Sequence, residues 1–364
     1  MQEYFAVIED PRHQGYVKHK LSDILVIVMC AVVCGMDELG ALMTFAENMK
    51  EFLKETFQIP AIPSEPTVSR VLRMIDGEKV AKVMVQIMKE HISDTDDVIA
   101  VDGKAVRSTS ADGNPNSALQ IITAYMTKSG VVLGQEKIHE KTNEIPAFQE
   151  MLSYLNVKDK TVTADAMHCQ KETCRKIVEQ EGDYVFGLKG NQGSLHDDVA
   201  LFFQDPPDDY ELDVFTTLEK NGGRLEWRRC RVLRQLDWLE AKEDWAGLEA
   251  VFAVDRRTTT RDGTSEETSY YITSSDASAE KLLSIVREHW KIESMHWMLD
   301  VDFSEDSANF ASEDTHITLN AFRKYALLLH RSYLSSAPQK CSVRKNMLNC
   351  LMNRDLLLKV ITGN

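Results

Sequence analysis

Two short apolar segments, each ending in an aspartate, place the strongest limit on what this chain can fold into. Residues 98–101 (VIAV) run into Asp102, and residues 161–164 (TVTA) run into Asp165. Short runs of mainly β-branched residues predict buried strands. A carboxylate at the end of such a strand is costly unless it faces a cleft or binds a cation. The two segments therefore predict strands that deliver two acids to one edge of a sheet.

The segments around these two strands follow the order strand, strand, strand, helix, strand, helix, strand. This order combines an antiparallel hairpin with parallel crossovers and predicts a mixed sheet. It is the order of the ribonuclease-H-like fold. The predicted strands cover residues 98–104, 118–127, 131–138, 161–166 and 183–189, and the predicted helices cover residues 144–155 and 170–181.

The 364 residues divide into five segments of different character. Helical periodicity marks the beginning and end of the chain, and β-branched and aromatic runs broken by Gly-rich turns mark an insertion in the α/β part. We predict a helical N-terminal domain at 1–95, the first part of an α/β catalytic core at 96–204, a mostly β insertion at 205–275, the rest of the core with a third acid at 276–335, and a basic helical tail at 336–364.

The N-terminal domain contains a candidate DNA-reading element. Residues 38–57 have apolar positions at helical spacing and predict one helix, with Asp37 as its cap. After two prolines, residues 64–67 (SEPT) start another helix that carries Arg70 and Arg73 on its polar side. Two helices with a short connector resemble a helix-turn-helix. An ordinary helical bundle with surface arginines fits the same pattern, so both interpretations stay open.

The formal net charge of −15 argues against a nucleic-acid-binding surface, unless basic residues are segregated into local stretches. The seven cysteines form no C-x-x-C pair and no secreted disulfide framework, which favours a reducing cytoplasm. The longest apolar run, residues 24–35, is too short to span a bilayer, for which about 20 residues are needed. We therefore expect a cytoplasmic protein, associated with the nucleoid if it binds DNA.

A third acid is expected on a long helix at residues 277–299. Its segment 287–297 (REHWKIESMHW) is the densest polar and aromatic cluster of the chain, and His289, Glu293 and His296 share one helix face. Two neighbouring aspartates repel each other unless a divalent cation lies between them, and oxygen ligands suit Mg²⁺ or Mn²⁺. A third acid would complete a two-metal site for phosphodiester chemistry. The candidates are Glu293, Asp300, Asp302, Glu305 and Asp306, and the alternative role for the two histidines is packing.

Several polar residues near these acids are candidates for contact with DNA phosphates, and solvated surface is the alternative for each. The residues predicted to contact DNA are Lys104, Arg107, Lys189, Asn191, Arg287, His289, Lys291, Arg70 and Arg73. Further basic residues are Arg224, Arg228 and Arg229 in the insertion, and Lys340, Arg344, Lys345, Arg354 and Lys359 in the tail.

Longer motifs make a family resemblance specific. The chain contains IAVDGK at residues 99–104, TADAMHCQ at 163–170, YVFGLKGNQ at 184–192, HWKIE at 289–293 and W-x-LDV-x-F-x-ED at 297–306. Together they resemble the DDE transposases of bacterial insertion sequences, in the H-repeat-associated (ISAs-type) group. The resemblance covers nearly the whole chain, including the helical N-terminal region.

This resemblance implies a ribonuclease-H-like core, a β insertion before the third acid, and Mg²⁺-dependent DNA strand cleavage and transfer, with two ions and with Mn²⁺ as a substitute. It assigns Asp102, Asp165 and Glu293 as catalytic and metal-binding residues. It also implies double-stranded transposon ends and target DNA as partners, bound by a homodimer. The alternatives are a DNA-binding protein that has lost catalysis, and a nuclease on the same core without strand transfer.

The chain departs from the superfamily signature of Tyr, Arg, Glu and Lys on the third-acid helix. The corresponding residues are Val286, His289, Glu293 and Asp300, so only the Glu remains. We expect His289 to replace the Arg as a phosphate contact. The absence of the Lys leaves open how the flanking strands are processed.

Overall fold

A nine-stranded sheet forms the centre of the computed structural model, which describes residues 1–93, 95–110, 117–138, 144–308, 310 and 312–363. The order across the sheet is β3-β2-β1-β4-β5-β9-β8-β7-β6. The strands are β1 Val98–Val106, β2 Leu119–Met126, β3 Val132–Ile138, β4 Thr161–Ala164, β5 Asp183–Leu188, β6 Asp213–Asn221, β7 Arg224–Leu233, β8 Ala250–Thr259 and β9 Thr264–Thr273.

The sheet is mixed, as predicted. β1 pairs with β2 in the antiparallel sense and with β4 in the parallel sense, and β4 and β5 are also parallel. The other neighbouring strands are antiparallel. The first four residues of β1 are all buried, because helices cover both faces of the sheet at its parallel centre.

The four strands of the predicted insertion continue the central sheet. β9 pairs with β5, with Val185 opposite Thr273, and the hairpins β6–β7 and β8–β9 extend the sheet outward. The sequence predicted these strands but not their union with the core, which depends on contacts between distant residues. The helix Ser194–Gln204 before them was not predicted.

The chain forms thirteen α-helices in its described part. They are α1 Gln2–Phe5, α2 Leu21–Val33, α3 Leu39–Asn48, α4 Lys50–Phe57, α5 Glu65–Met74, α6 Gly77–Lys89, α7 Glu144–Met151, α8 Lys171–Glu179, α9 Ser194–Gln204, α10 Ala279–Val301, α11 Glu313–Ser336, α12 Val343–Met352 and α13 Arg354–Thr362.

The single helix predicted at residues 38–57 was wrong. These residues form α3 and α4, because the amide of Asn48 donates to the carbonyl oxygen of Thr44 at 2.7 Å and competes with the helical ladder there. The tail predicted to be helical contains two helices, α12 and α13, because Asn353 leaves the helix and its side chain accepts from the N–H of Leu356, which starts a new helix.

The helix α11 holds the helical layer against the sheet. All of its residues from Thr315 to His330 are buried, and it packs against α2, α5 and α6. One continuous apolar core joins the N-terminal helices, α11, the tail helices and most of the sheet. Among the described residues, none of the helices combines the length and apolar character needed to cross a bilayer.

Candidate active site

Asp102 and Asp165 lie where two parallel strands separate. Val101 and Ala164 are the last paired residues of β1 and β4, and each aspartate is the next residue of its segment. β1 continues beyond this point against β2, whereas β4 ends. Both acids are therefore in the crevice at the carboxyl ends of parallel strands, where open α/β sheets commonly bind ligands.

The helix α10 lies across this crevice. It begins after Ser278, whose hydroxyl accepts a hydrogen bond from the N–H of Lys281, and it packs over β1, β4 and β5. A buried seam fixes its rotation. The seam includes Ile285, Ile292, Met295 and Leu299.

The adjacent face of α10 meets both aspartates through histidines. His289 Nε2 lies 3.6 Å from Asp165 Oδ1, and His296 Nδ1 lies 3.3 Å from Asp102 Oδ2. Glu293 is one helical turn from each histidine and shares their face. The helix thus presents His, Glu and His to two strand-borne acids.

The three acids share one electrostatic environment. The imidazole of His289 beside Asp165 lowers the pKa of that carboxyl, and the Lys189 charge adds to the effect against the opposing influence of burial. Burial raises the pKa of Glu293; His289 opposes this rise, whereas the charges of Asp102 and Asp165 add to it. A cation between the acids would relieve this repulsion.

Asp165 and Glu293 line a cleft of about 470 Å³. His289, Trp290 and Lys189 also line it, and its far wall is formed by β9. The Asp165 side chain is 60% exposed, and the Asp102 side chain, at 21%, lies deeper under α10. Asp165 and Glu293 are therefore accessible from solvent.

The side chains fit a divalent metal chemically but are not converged on one point. Within the described ranges, no three carboxylate, imidazole or thiolate groups are already arranged to hold an ion. Both ring nitrogens of His289 and the Nε2 of His296 are nevertheless closed to solvent and have no hydrogen-bond partner among the described residues. Oxygen and imidazole donors that lack partners, next to mutually repelling acids, are a donor set that a divalent ion would satisfy.

Two of the rival acids beyond Glu293 bind cations of the protein. Lys104 Nζ lies 2.6 Å from Asp300 Oδ1 and 2.5 Å from Glu305 Oε2. Glu305 is fully buried and also contacts Arg323, which binds Asp37 at 2.6 Å. We call Lys104, Asp300, Glu305, Arg323 and Asp37 the buried ion cluster. Neither Glu293 nor Asp302 has an ion pair among the described residues, and Glu293 is the one of the two that lines the cleft with Asp165.

This cluster changes the interpretation of two residues. The ammonium of Lys104 is bound by carboxylates and its side chain is only 10% exposed, so it is not placed to contact a DNA phosphate as predicted. Asp37 does not cap α3, whose N-cap is Glu38, because its carboxylate binds Arg323 instead.

The other predicted phosphate contacts occupy different settings. Lys189 is exposed at the cleft, and Lys291 is exposed on α10, 3.8 Å from Glu288. The guanidinium of Arg287 donates two hydrogen bonds of 2.8 Å to the carboxylate of Glu219 in β6. Arg287 is therefore already paired within the protein.

The remaining members of this set are His289, which is largely buried and faces Asp165, and Asn191, Arg107, Arg70 and Arg73. Asn191 donates to the carbonyl oxygen of Ala166 at 2.9 Å, so it supports the chain directly after Asp165. Arg107 is 79% exposed at the edge near Asp306. Arg70 and Arg73 are exposed on α5, in the helical layer.

Sequence reasoning missed a pair of residues under the acid-bearing edge. A Cβ at position 103 would come within 2.7 Å of the Glu144 carboxylate, so a larger residue next to Asp102 would displace the Glu144 side chain. Glu144 lies 3.4 Å from the buried His168, which follows Asp165 by three residues. The sequence signal was the Gly after the first acid, whose reason appears only in the fold.

Comparison with known proteins gives a consistent result. A family model described as "Transposase DDE domain" matches residues 93–329, and a second model, described as associated with it, matches residues 2–88. The chain is 37% identical over 337 residues to "Putative transposase YncI" of Escherichia coli O157:H7, which covers 90% of this chain and 86% of that protein. It is 34% identical over 378 residues to "H repeat-associated putative transposase YhhI" of Escherichia coli strain K12, which covers 100% of this chain and 98% of that protein.

Among solved structures, a piggyBac transposase synaptic complex with hairpin DNA covers 99% of this chain and 77% of that chain. The TM-score is 0.47 and the sequence identity is 10%, an overlap too loose to carry an argument about fold or chemistry.

Proposed function

The chain belongs to the family of transposases with a DDE domain, and from that premise we propose that it cuts DNA at the ends of an insertion sequence and joins the freed ends to a new site. The observation that carries this proposal is the crevice at the ends of β1 and β4. There, two strand-borne acids face a helix that carries a third acid between two histidines without hydrogen-bond partners among the described residues.

We propose that the core is ribonuclease-H-like. The order β3-β2-β1-β4-β5, with an antiparallel hairpin beside two parallel pairs, supports this assignment. Asp102 then lies within β1, directly after its last pairing with β4, and Asp165 directly follows β4.

In this proposal Asp102, Asp165 and Glu293 hold divalent ions, with Mg²⁺ as the physiological ion and Mn²⁺ as a substitute. A bound ion pair would supply charge stabilisation and activation of the attacking hydroxyl in phosphodiester transfer. The residues of the chain position the ions. Asp102 and Asp165 are fixed by the sheet, and Glu293 by the buried seam of α10.

DNA would approach the open side of the cleft. Lys189 is an exposed cation there, and Trp290, 55% exposed, offers aromatic surface on which bases can stack. Trp297, 60% exposed, extends this aromatic surface along α10, and Lys291 would contact DNA from another side of the helix, where it lines a separate pocket. Arg70 and Arg73 would contact DNA from the helical layer. Because the two ends of an insertion sequence must be handled together, we propose a homodimer on DNA, acting at the bacterial nucleoid in the cytoplasm.

The test is a plasmid assay with the DNA that flanks the coding region on each side, in the presence of Mg²⁺ or Mn²⁺. The purified protein is expected to cleave at the insertion-sequence boundaries and to join the 3′-ends to other DNA. Asp165→Asn is expected to abolish both steps while the protein stays folded. Asp244→Asn, which changes an exposed acid paired with Lys171, is the matched control and is expected to retain activity.

The outcomes separate the possible functions. Binding of the flanking DNA without cleavage under either ion would indicate a DNA-binding protein that has lost catalysis. Cleavage without joining would indicate a nuclease. Activity that survives Asp165→Asn would contradict the assignment of this residue as a metal ligand.

A further inference from the structure

We propose that His289 and His296 are metal ligands together with the three acids, so that the centre is a mixed imidazole–carboxylate site. Asp165 and His289 would form one half, Asp102 and His296 the other, with Glu293 between them. This inference rests on the proposed function, because it assigns further ligands to the same metal centre.

The spacing on α10 supports this arrangement. His289, Glu293 and His296 are separated by four and then three residues, so they lie one above another on one helix face. That face lies over β1 and β4. Each histidine therefore meets a different aspartate, and Glu293 is within one turn of both.

The distances between the paired side chains suit shared coordination better than a hydrogen bond. A charge-assisted hydrogen bond from imidazole to carboxylate is about 2.7–2.9 Å long. The pairs His289–Asp165 and His296–Asp102 are 3.6 and 3.3 Å apart. When two neighbouring ligands bind one ion with bonds of about 2.1 Å, their donor atoms lie about 3 Å apart. A small movement of the imidazole towards the carboxylate would therefore let both side chains of a pair bind the same ion.

Burial without partners distinguishes these two histidines from a structural histidine of the same protein. Their side chains are 12% and 10% exposed. Both ring nitrogens of His289, including the Nε2 nearest Asp165, have no hydrogen-bond partner among the described residues, and neither has the Nε2 of His296, whose Nδ1 faces Asp102. Burial of a polar atom without a partner is unfavourable. His330, also buried, uses both nitrogens: one lies 2.8 Å from the Val33 carbonyl oxygen and the other 2.9 Å from the Asn346 amide.

Imidazole ligands would change the metal preference of the site. Oxygen-only sites suit Mg²⁺, whereas imidazole favours transition ions. The centre should therefore bind Mn²⁺ more tightly than Mg²⁺, and removal of either histidine should weaken Mn²⁺ binding by at least about tenfold, the lower end of the range for altered metal surroundings.

The experiment uses Mn²⁺ alone as the probe and the full chain. Electron spin-echo envelope modulation of bound Mn²⁺ detects ¹⁴N of a coordinated imidazole directly. The wild-type protein should show ¹⁴N modulation that disappears when histidine is labelled with ¹⁵N. Each of the single variants His289→Ala and His296→Ala should lose part of the ¹⁴N modulation that the wild type shows. His196→Ala is the matched control, since His196 lines the same cleft but packs against Tyr270 and pairs with neither aspartate.

The outcomes are distinguishable from failure of the proposed function. Bound Mn²⁺ without ¹⁴N modulation, with affinity reduced by Asp165→Asn but not by either histidine variant, would overturn this inference and leave the proposed function standing. Failure to bind Mn²⁺ at all would overturn both. The ¹⁵N-labelling measurement needs no substitution, so it decides the inference even if a histidine variant does not fold.

Discussion

The acids near β1, β4 and α10 form two groups that differ in the partners of their carboxylates. At the cleft, Asp102 lies 3.3 Å from His296 and Asp165 lies 3.6 Å from His289, and Glu293 has no ion pair among the described residues. In the buried ion cluster, Asp300 and Glu305 are bound by Lys104 at 2.6 and 2.5 Å. The first set keeps its carboxylates open to a ligand, whereas the second is saturated by the protein itself. Proximity of acids is therefore insufficient to identify a metal site. Whether a carboxylate is free to bind a metal depends on whether a cation of the protein already binds it.

The two regions are also connected. Lys104 follows Asp102 by two residues on β1, and Asp300 follows Glu293 by seven residues, or two turns, on α10. The ion pair between them fixes the strand of the first acid against the helix of the third. The cluster continues through Arg323 to Asp37 in the helical layer. We infer that the buried ion cluster, which lies beside the cleft, fixes the position of α10 relative to β1 and so the spacing of the acids in the cleft.

The largest expected effect separates the two acids that compete for the third position. Glu293→Gln should reduce DNA cleavage by about a thousandfold or more, about 4 kcal/mol of activation free energy, because it removes a metal ligand. Asp300→Asn should reduce cleavage by less than about tenfold, since its carboxylate is bound by Lys104. Cleavage rates of both variants under saturating Mn²⁺ provide the measurement. The reverse order would assign the metal to Asp300.

A second effect concerns stability and belongs to the buried ion cluster. Arg323→Met should lower the free energy of unfolding by about 3–5 kcal/mol, because it leaves Asp37 and part of Glu305 buried without their cation. Urea unfolding monitored by circular dichroism measures it. The double variant Asp37→Asn/Arg323→Met should lose less free energy of unfolding than the sum of the losses in the two single variants. Strict additivity would show that Asp37 and Arg323 do not stabilise each other.

A pH dependence should also come from the cluster. Burial alone would raise the pKa of Glu305, but the charges of Lys104 and Arg323 lower it to about 2, below the ordinary 4.5. A carboxyl with a depressed pKa contributes stability that is present above its unfolded pKa and lost as the pH falls through the folded value. Urea midpoints between pH 6 and pH 2.5 should therefore fall, and the fall should be shallower in Glu305→Gln. Equal slopes would contradict the assigned charge state.

The smallest effect has the opposite sign and belongs to the cleft. In metal-free protein, Glu293→Gln should raise the free energy of unfolding by roughly 0.5 kcal/mol, a surface-type electrostatic effect, because it removes repulsion from Asp102 and Asp165. Added Mn²⁺ should stabilise the wild type more than the variant. Thermal unfolding with and without Mn²⁺ tests this. A variant less stable than the wild type without metal would show that Glu293 has a structural role.

Much of the fold was predictable because it is encoded locally. β-branched runs located the core strands, and the long helix predicted at 277–299 corresponds to α10. The union of β5 with β9, and the replacement of the Asp37 cap by a contact with Arg323, depend on residues far apart in the chain. No local pattern contains that information.

The site was predictable to a similar degree. Strand ends identified Asp102 and Asp165, and the family resemblance added Glu293; their catalytic roles stay predictions. Lys104 was predicted to contact phosphate because it follows the first acid in the chain. It is buried because acids 196 and 201 residues later in the chain surround it. A cation's neighbours in sequence do not reveal which carboxylates will fold onto it.

The most direct test of the contrast between the two regions is anomalous diffraction from crystals of this protein soaked in Mn²⁺. We expect anomalous density for Mn²⁺ at about 2.0–2.5 Å from carboxylate oxygens of Asp102, Asp165 and Glu293, and none at Asp300 or Glu305. Manganese at Asp300 or Glu305, with Lys104 displaced, would contradict it.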